Sequence, residues 1–149
     1  MKTILSALFL LPWLASAADS NWSTYLGDKA SSHYSTLKQI TPRNVAKLEV
    51  AWTYRAGGMD LNNRSQIQCN PLVIDGVLFG TTPDLQLFAL DAASGKELWR
   101  FNPASVKGIT KAGVNRGLVH WGGGAERRIL YGNDHFLHAI DASTGKRIA

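Results

Sequence analysis

The chain has 149 residues, with 16 Lys and Arg against 11 Asp and Glu, for a formal net charge of +5. Its basic residues are scattered, Arg127-Arg128 and Lys146-Arg147 being the only adjacent pairs. There is thus no charged stripe with interleaved aromatics of the kind nucleic-acid binding needs. A single cysteine, Cys69, excludes an internal disulfide, and no Cys/His cluster has zinc-ligand spacing.

The first 17 residues read as a cleavable signal peptide: Lys2 is the positive end, Ile4–Leu14 the apolar core and Ala15-Ser16-Ala17 the small-residue cleavage pattern. The apolar run is too short for a permanent membrane span. No cysteine follows it to carry a lipid. Export to the periplasm is expected, with the mature chain starting at Ala18.

Residues 18–47 form an N-terminal arm with few apolar positions. Within it Thr41-Pro42 predicts a helix start, Thr41 capping and Pro42 at the first position, with a short turn running through Leu48. Asn21-Trp22-Ser23 and Asn63-Arg64-Ser65 match the glycosylation sequon.

From residue 48 onward, short apolar runs bounded by Gly, Pro, Asn and Asp predict an all-β chain. Leu48–Tyr54 reads as a strand. Pro71–Ile74 and Val77–Thr81 flank Asp75-Gly76, a strong hairpin signal. Gln86–Leu90 and Glu97–Phe101 flank a turn at Asp91–Lys96. Together these four strands make a meander the size of one propeller blade. Gly117–Trp121, Arg128–Tyr131 and Phe136–Ile140 repeat its first three strands, with Gly122–Glu126 as a longer turn. Gly122-Gly123-Gly124 opens no helix and precedes no Lys-Ser/Thr, so it reads as a hairpin loop and not a phosphate cradle. Cys69 reads as a small buried apolar residue, and His33, His120, His135 and His138 as structural or surface residues.

Two segments are near copies: LFALDAASGKELW (Leu87–Trp99) and LHAIDASTGKRIA (Leu137–Ala149), with Ala89 and Ala139 50 residues apart. A period of that size marks a repeat architecture. Asp91 and Gly95 bracket a turn in which Gly takes positive φ and Asp bonds nearby amides. Trp52 and Trp99, 47 residues apart, are placed to lie flat over such turns and lock one blade to the next. The chain stops before the second copy reaches the position of Trp99.

ALDAASGKELW resembles the tryptophan-docking repeat of pyrroloquinoline quinone (PQQ) dehydrogenases. The resemblance extends to YLGDKASSHYSTLKQITPRNVAKLEVAWTYRAG, to NPLVIDGVLFGTTPDLQLFALDAASGKELWRF and to VNRGLVHW, in the family's order. It implies a β-propeller of the eight-bladed quinoprotein type, of which residues 48–149 supply only about two blades. It implies an oxidoreductase that passes hydride from a sugar or alcohol hydroxyl to PQQ, with a Ca²⁺ polarising the quinone oxygens. A membrane quinone or cytochrome c is the implied electron acceptor.

Arg116, in the Arg-Gly of VNRGLVHW, matches the family's cofactor-pairing arginine; its fixed charge suits a carboxylate. Gln68, three residues before Pro71, stands where the family has an acid near a PQQ carboxylate, and can donate a hydrogen bond without negative charge. Alcohol-oxidising members carry an adjacent Cys-Cys pair shortly before the Arg, where this chain has Thr110-Lys111. That departure resembles the sugar- and polyol-oxidising branch, which includes glucose dehydrogenases. The family's catalytic Asp and calcium ligands fall beyond residue 149, so no catalytic or metal residue is assigned, and Asp91 and Asp141 belong to the docking turns. Residues 18–149 alone are expected to be inactive and to bind PQQ weakly or not at all. A non-catalytic propeller remains the alternative: an outer-membrane assembly scaffold, or a polysaccharide binder using Trp121.

Overall fold

A computed structural model describes residues 21–62, 65–109 and 113–149. The expected signal peptide (residues 1–17), Asn63-Arg64 and Thr110-Lys111 lie outside those residues. Two antiparallel sheets carry the chain. The first is β1 (Leu72–Ile74), β2 (Val77–Thr81), β3 (Leu87–Asp91) and β4 (Glu97–Phe101), in that order. The second is β5 (Val119–Gly123), β6 (Glu126–Asn133) and β7 (Phe136–Asp141). Each is a meander, as the repeat predicts.

The Asp75-Gly76 hairpin closes with Ile74 opposite Val77, and both turn residues have positive φ (50° and 78°). This is the backbone that a two-residue hairpin demands and that Asp-Gly accepts most readily. The expected long turn at Gly122–Glu126 is instead a two-residue turn, because the strands run on until Gly123 faces Glu126. Gly122 makes this possible. It sits at φ +97°, and a Cβ there would stand 2.0 Å from the Glu126 carbonyl oxygen.

Two further expectations need correcting. Leu48–Tyr54 forms no strand: the segment is extended but enters no ladder among the described residues. Its side chains still alternate, with Trp52, Tyr54, Ala56 and Gly58 half-buried and their neighbours exposed. The period-2 pattern therefore records packing of one face onto the first sheet, not pairing. Tyr54 packs on Phe88 (ring centroids 5.1 Å apart), and the Arg100 guanidinium donates to the Ala56 carbonyl at 3.0 Å. Thr41 does not cap a helix. Its own N–H donates to Asn44 Oδ1 at 2.7 Å, and Val45 N–H donates back to the Thr41 carbonyl. Pro42 thus lies in a turn, and a single 3₁₀ turn follows at Val45–Lys47.

The core is one cluster shared by both sheets: Leu72, Ile74, Phe79, Leu87, Ala89 and Phe101 of the first meet Leu118, Ile129, Tyr131 and Ile140 on or beside the second. Each fully buried aliphatic side chain contributes roughly 1.5–3 kcal/mol. The arm is tied to the β1 edge of the first sheet by paired backbone bonds between Trp22 and Val73.

Both docking turns are as the repeat predicts. Trp52 Nε1 donates to the Ala92 carbonyl and Trp99 Nε1 to the Ala142 carbonyl, each at 3.1 Å. The indoles lie so close over Gly95 and Gly145 that a Cβ would approach them to 2.5 and 2.6 Å. Asp91 accepts from Ser94 N and Oγ, while Asp141 accepts from the backbone and hydroxyls of Ser143 and Thr144. These bonds hold the Asp141 carboxyl at about 2, well below its ordinary value.

Candidate functional site

Strand direction sorts the chemistry to opposite ends of the sheets. One end carries the Asp75-Gly76 turn and both docking turns, bound together by Ala92 N to Gly76 O at 2.8 Å and Ala142 N to Arg127 O at 2.9 Å. An Asp75–Arg127 ion pair joins the two sheets there. The opposite end, called here the rim, carries the chain leading into β1, the Thr82–Leu85 loop, the chain leading into β5, and the end of β6 at Asn133.

The segments that carry the two residues assigned by resemblance run side by side at the rim. Asn70 N–H and Nδ2 both donate to the Arg116 carbonyl, at 3.1 and 3.0 Å, and Asn70 pairs with Gly117 in a parallel bridge. Gln68 therefore runs on the chain alongside Arg116. The Arg116 side chain is exposed and forms no ion pair among the described residues, so its charge is free for an incoming anion. Gln68 is half-buried. The glycine of the Arg-Gly pair has its own reason: a Cβ on Gly117 would stand 2.7 Å from the Tyr25 ring of the arm. The arm thus sets the position of the arginine.

Arg116 lines a cleft of about 530 Å³ with Leu85, Val114, Asn115, Gly132, Asn133 and Asp134. A second cleft of about 490 Å³ adjoins it through Gly113 and Val114 and reaches Met59, Gln66 and Asp84. Gln68 lines neither. Asn133 is 2 % exposed, and neither its Oδ1 nor its Nδ2 has a hydrogen-bond partner. Asn115 gives Nδ2 to the Gly132 carbonyl at 3.3 Å and leaves Oδ1 unpartnered. An unsatisfied buried polar group costs roughly 1–3 kcal/mol. A guanidinium beside unsatisfied amides suits a planar ligand bearing carboxylates and carbonyls, and it offsets the Asp134 carboxylate in the same cleft, so these residues fit PQQ.

Sequence reasoning missed Tyr25, Asn115 and Asn133. A signal for Asn133 existed: it continues the inward-facing parity of Ile129 and Tyr131 on β6, where an apolar residue is expected. Among the described residues no three His, Cys, Asp or Glu side chains gather as a metal site. Cys69 is half-buried against the core, with burial raising its thiol pKa and a bond to Thr81 opposing that. His138 is buried and stacks on Tyr131 with centroids 5.1 Å apart. His33 and His135 are exposed and His120 is half-buried.

Residues 22–149 match the family model described as PQQ: glucose/ethanol/alcohol dehydrogenase, β-propeller domain. The 1-butanol dehydrogenase (cytochrome c) of Thauera butanivorans is 39% identical over 138 residues, covering 89% of this chain and 18% of that protein. Quinoprotein glucose dehydrogenase A of Acinetobacter calcoaceticus is 44% identical over 89 residues, covering 58% of this chain and 11% of that protein. Among solved structures, the quinohemoprotein alcohol dehydrogenase of Comamonas testosteroni superposes with a TM-score of 0.73 at 29% identity, covering 91% of this chain and 20% of its own. The chain spans about a fifth of the length of these relatives or less.

Proposed function

The chain belongs to the PQQ-dependent glucose/ethanol/alcohol dehydrogenase β-propeller family, and from that premise we propose that it serves as the opening part of a quinoprotein oxidoreductase acting on hydroxyl compounds. When bound, PQQ supplies the two-electron acceptor for hydride, with Ca²⁺ as its electrophilic partner. The chain's own part is recognition. The exposed, unpaired guanidinium of Arg116 at the rim carries this reading. It would hold a cofactor carboxylate, for which the planar, permanently charged guanidinium is better suited than a Lys ammonium. Gln68, on the neighbouring chain, adds a hydrogen bond without repelling that carboxylate.

An alcohol is the favoured substrate class, because the relative matching most of the chain is an alcohol enzyme while the glucose enzyme matches a shorter stretch. A sugar hydroxyl rests on the missing cysteine pair before Arg116. Cytochrome c or a membrane quinone is the proposed electron acceptor, and the leader-like first 17 residues favour a periplasmic setting.

Titrating the mature chain with PQQ and Ca²⁺, read by tryptophan fluorescence, tests the proposal. Weak saturable binding is expected, reduced about tenfold or more by Arg116→Ala, the loss of a charge-assisted bond. Affinity unchanged in Arg116→Ala would sink the assignment of that residue.

A further inference from the structure

We propose that Asn133, assisted by Asn115, is a second polar anchor for the quinone cofactor in the Arg116 cleft. This rests on the cofactor reading above and adds residues to it. Asn133 ends β6 at the rim, and it lines the same cleft as Arg116. At 2 % exposure it is withdrawn from bulk solvent, yet neither end of its amide finds a protein partner. The position is inward-facing, and its two predecessors of the same parity, Ile129 (0 %) and Tyr131 (2 %), are core residues. An apolar side chain of similar size would pack there with nothing left unsatisfied, so stability alone does not account for an amide.

Its surroundings point the same way. Asn115 precedes Arg116, and its Nδ2 bond to the Gly132 carbonyl ties the arginine loop to the residue before Asn133. Its Oδ1 is buried and unpartnered, which adds a third unsatisfied atom beside the cleft. Two neutral amides next to one cation complement a planar quinone carboxylate better than further charge would. Their N–H groups donate to carboxylate or carbonyl oxygens, and their carbonyls accept from a ring N–H. Neutral donors add no charge of their own to a cleft that already holds the Arg116 guanidinium and the Asp134 carboxylate.

The test uses the full mature chain and two readouts, the melting temperature without ligand and PQQ affinity by fluorescence titration. Asn133→Leu should raise the melting temperature of the ligand-free chain while weakening PQQ about tenfold, the worth of one hydrogen bond to a charged group. Should the leucine variant not fold, Asn133→Ala carries the affinity arm with the same expected loss. A lowered melting temperature with unchanged PQQ affinity would overturn the inference, because it marks an amide satisfied by internal water and acting only in structure. PQQ binding lost in Arg116→Ala but kept in both Asn133 variants also overturns it, while leaving the cofactor reading in place. Where the wild-type chain binds no PQQ, the melting temperature decides: a lowered value in Asn133→Leu overturns the inference.

Discussion

The indole N–H of Trp99 donates to the carbonyl of Ala142 at 3.1 Å, across 43 residues of chain. The first sheet thereby reaches over to hold the closing turn of the second. Trp52 does the same to Ala92 with the same geometry, so the chain contains two copies of one joint. In each copy glycine is required twice over, by a φ near +70° and by the indole lying on it.

Gly145→Ala should therefore break the joint. The alanine is strained at positive φ, and its methyl collides with Trp99. A destabilisation of about 2–4 kcal/mol is expected from backbone strain plus overpacking. Urea unfolding would measure it, and the same change at Gly108, which has open space, should cost clearly less.

Acid stability should follow the docking aspartates. The Asp141 carboxyl, ordinarily near 3.8, sits at about 2 because Ser143 and Thr144 donate to it, and bonds from Ser94 lower Asp91 likewise. A folded-state pKa below the unfolded one means that the folded chain binds fewer protons. The stabilisation is complete above the ordinary carboxylate range and is lost as pH falls towards about 2 for Asp141. Thermal melts across that window should show a falling midpoint, with a shallower slope in Asp141→Asn. An unchanged slope would remove the aspartate from the account.

His138 adds a pH dependence of opposite origin nearer neutrality. Burial, and secondarily the charge of Arg147, lowers its pKa from 6.5, so the folded chain prefers the neutral ring. As pH drops below 6.5 the unfolded chain gains a proton that the folded chain resists, and stability falls until the folded pKa is passed. His138→Phe keeps the stack with Tyr131 and should flatten the stability profile through the mildly acidic range. Chemical denaturation at a series of pH values reads this directly.

The face of the second sheet turned away from the first exposes three large apolar side chains among charged neighbours. Val119 is 58 % exposed, Trp121 50 % and Leu137 72 %, with Arg128 placed 4.8 Å over the Trp121 ring. Contiguous exposed apolar surface of this kind drives association. Leu137→Lys should lower concentration-dependent self-association in analytical ultracentrifugation with little change in melting temperature. Equal association in the two proteins would show that this face is not the cause.

How much of this was legible in the sequence depends on the range of the physics involved. The Asp75-Gly76 hairpin and both docking turns are dictated by residues within a few positions of one another, and they were readable. The Trp–Gly contact spans more than 40 residues, yet it could be read because the repeat prints the turn twice. Leu48–Tyr54 showed strand alternation without a ladder, since alternation reports a packed face and says nothing about pairing partners. The long turn expected at Gly122–Glu126 failed because glycine reads as loop even where it lets a strand kink and continue. At the rim, Arg116 and Gln68 came from resemblance, whereas their juxtaposition rests on Asn70, 46 residues from Arg116. Tyr25 over Gly117 and the buried Asn133 amide belong to tertiary packing and left only a parity clue behind.

The separation of joints from rim has a consequence for how such a chain tolerates change. Along every strand, one terminus answers to a geometry shared by all copies, and the other answers to whatever each copy must recognise. Constraint should accordingly differ along the strand axis: set by the joints at Asp91, Gly95, Asp141 and Gly145, and set by the ligand at Gln68, Asn115 and Asn133. New recognition can then arise one residue at a time at that second pole, without disturbing the joints that hold the two sheets together.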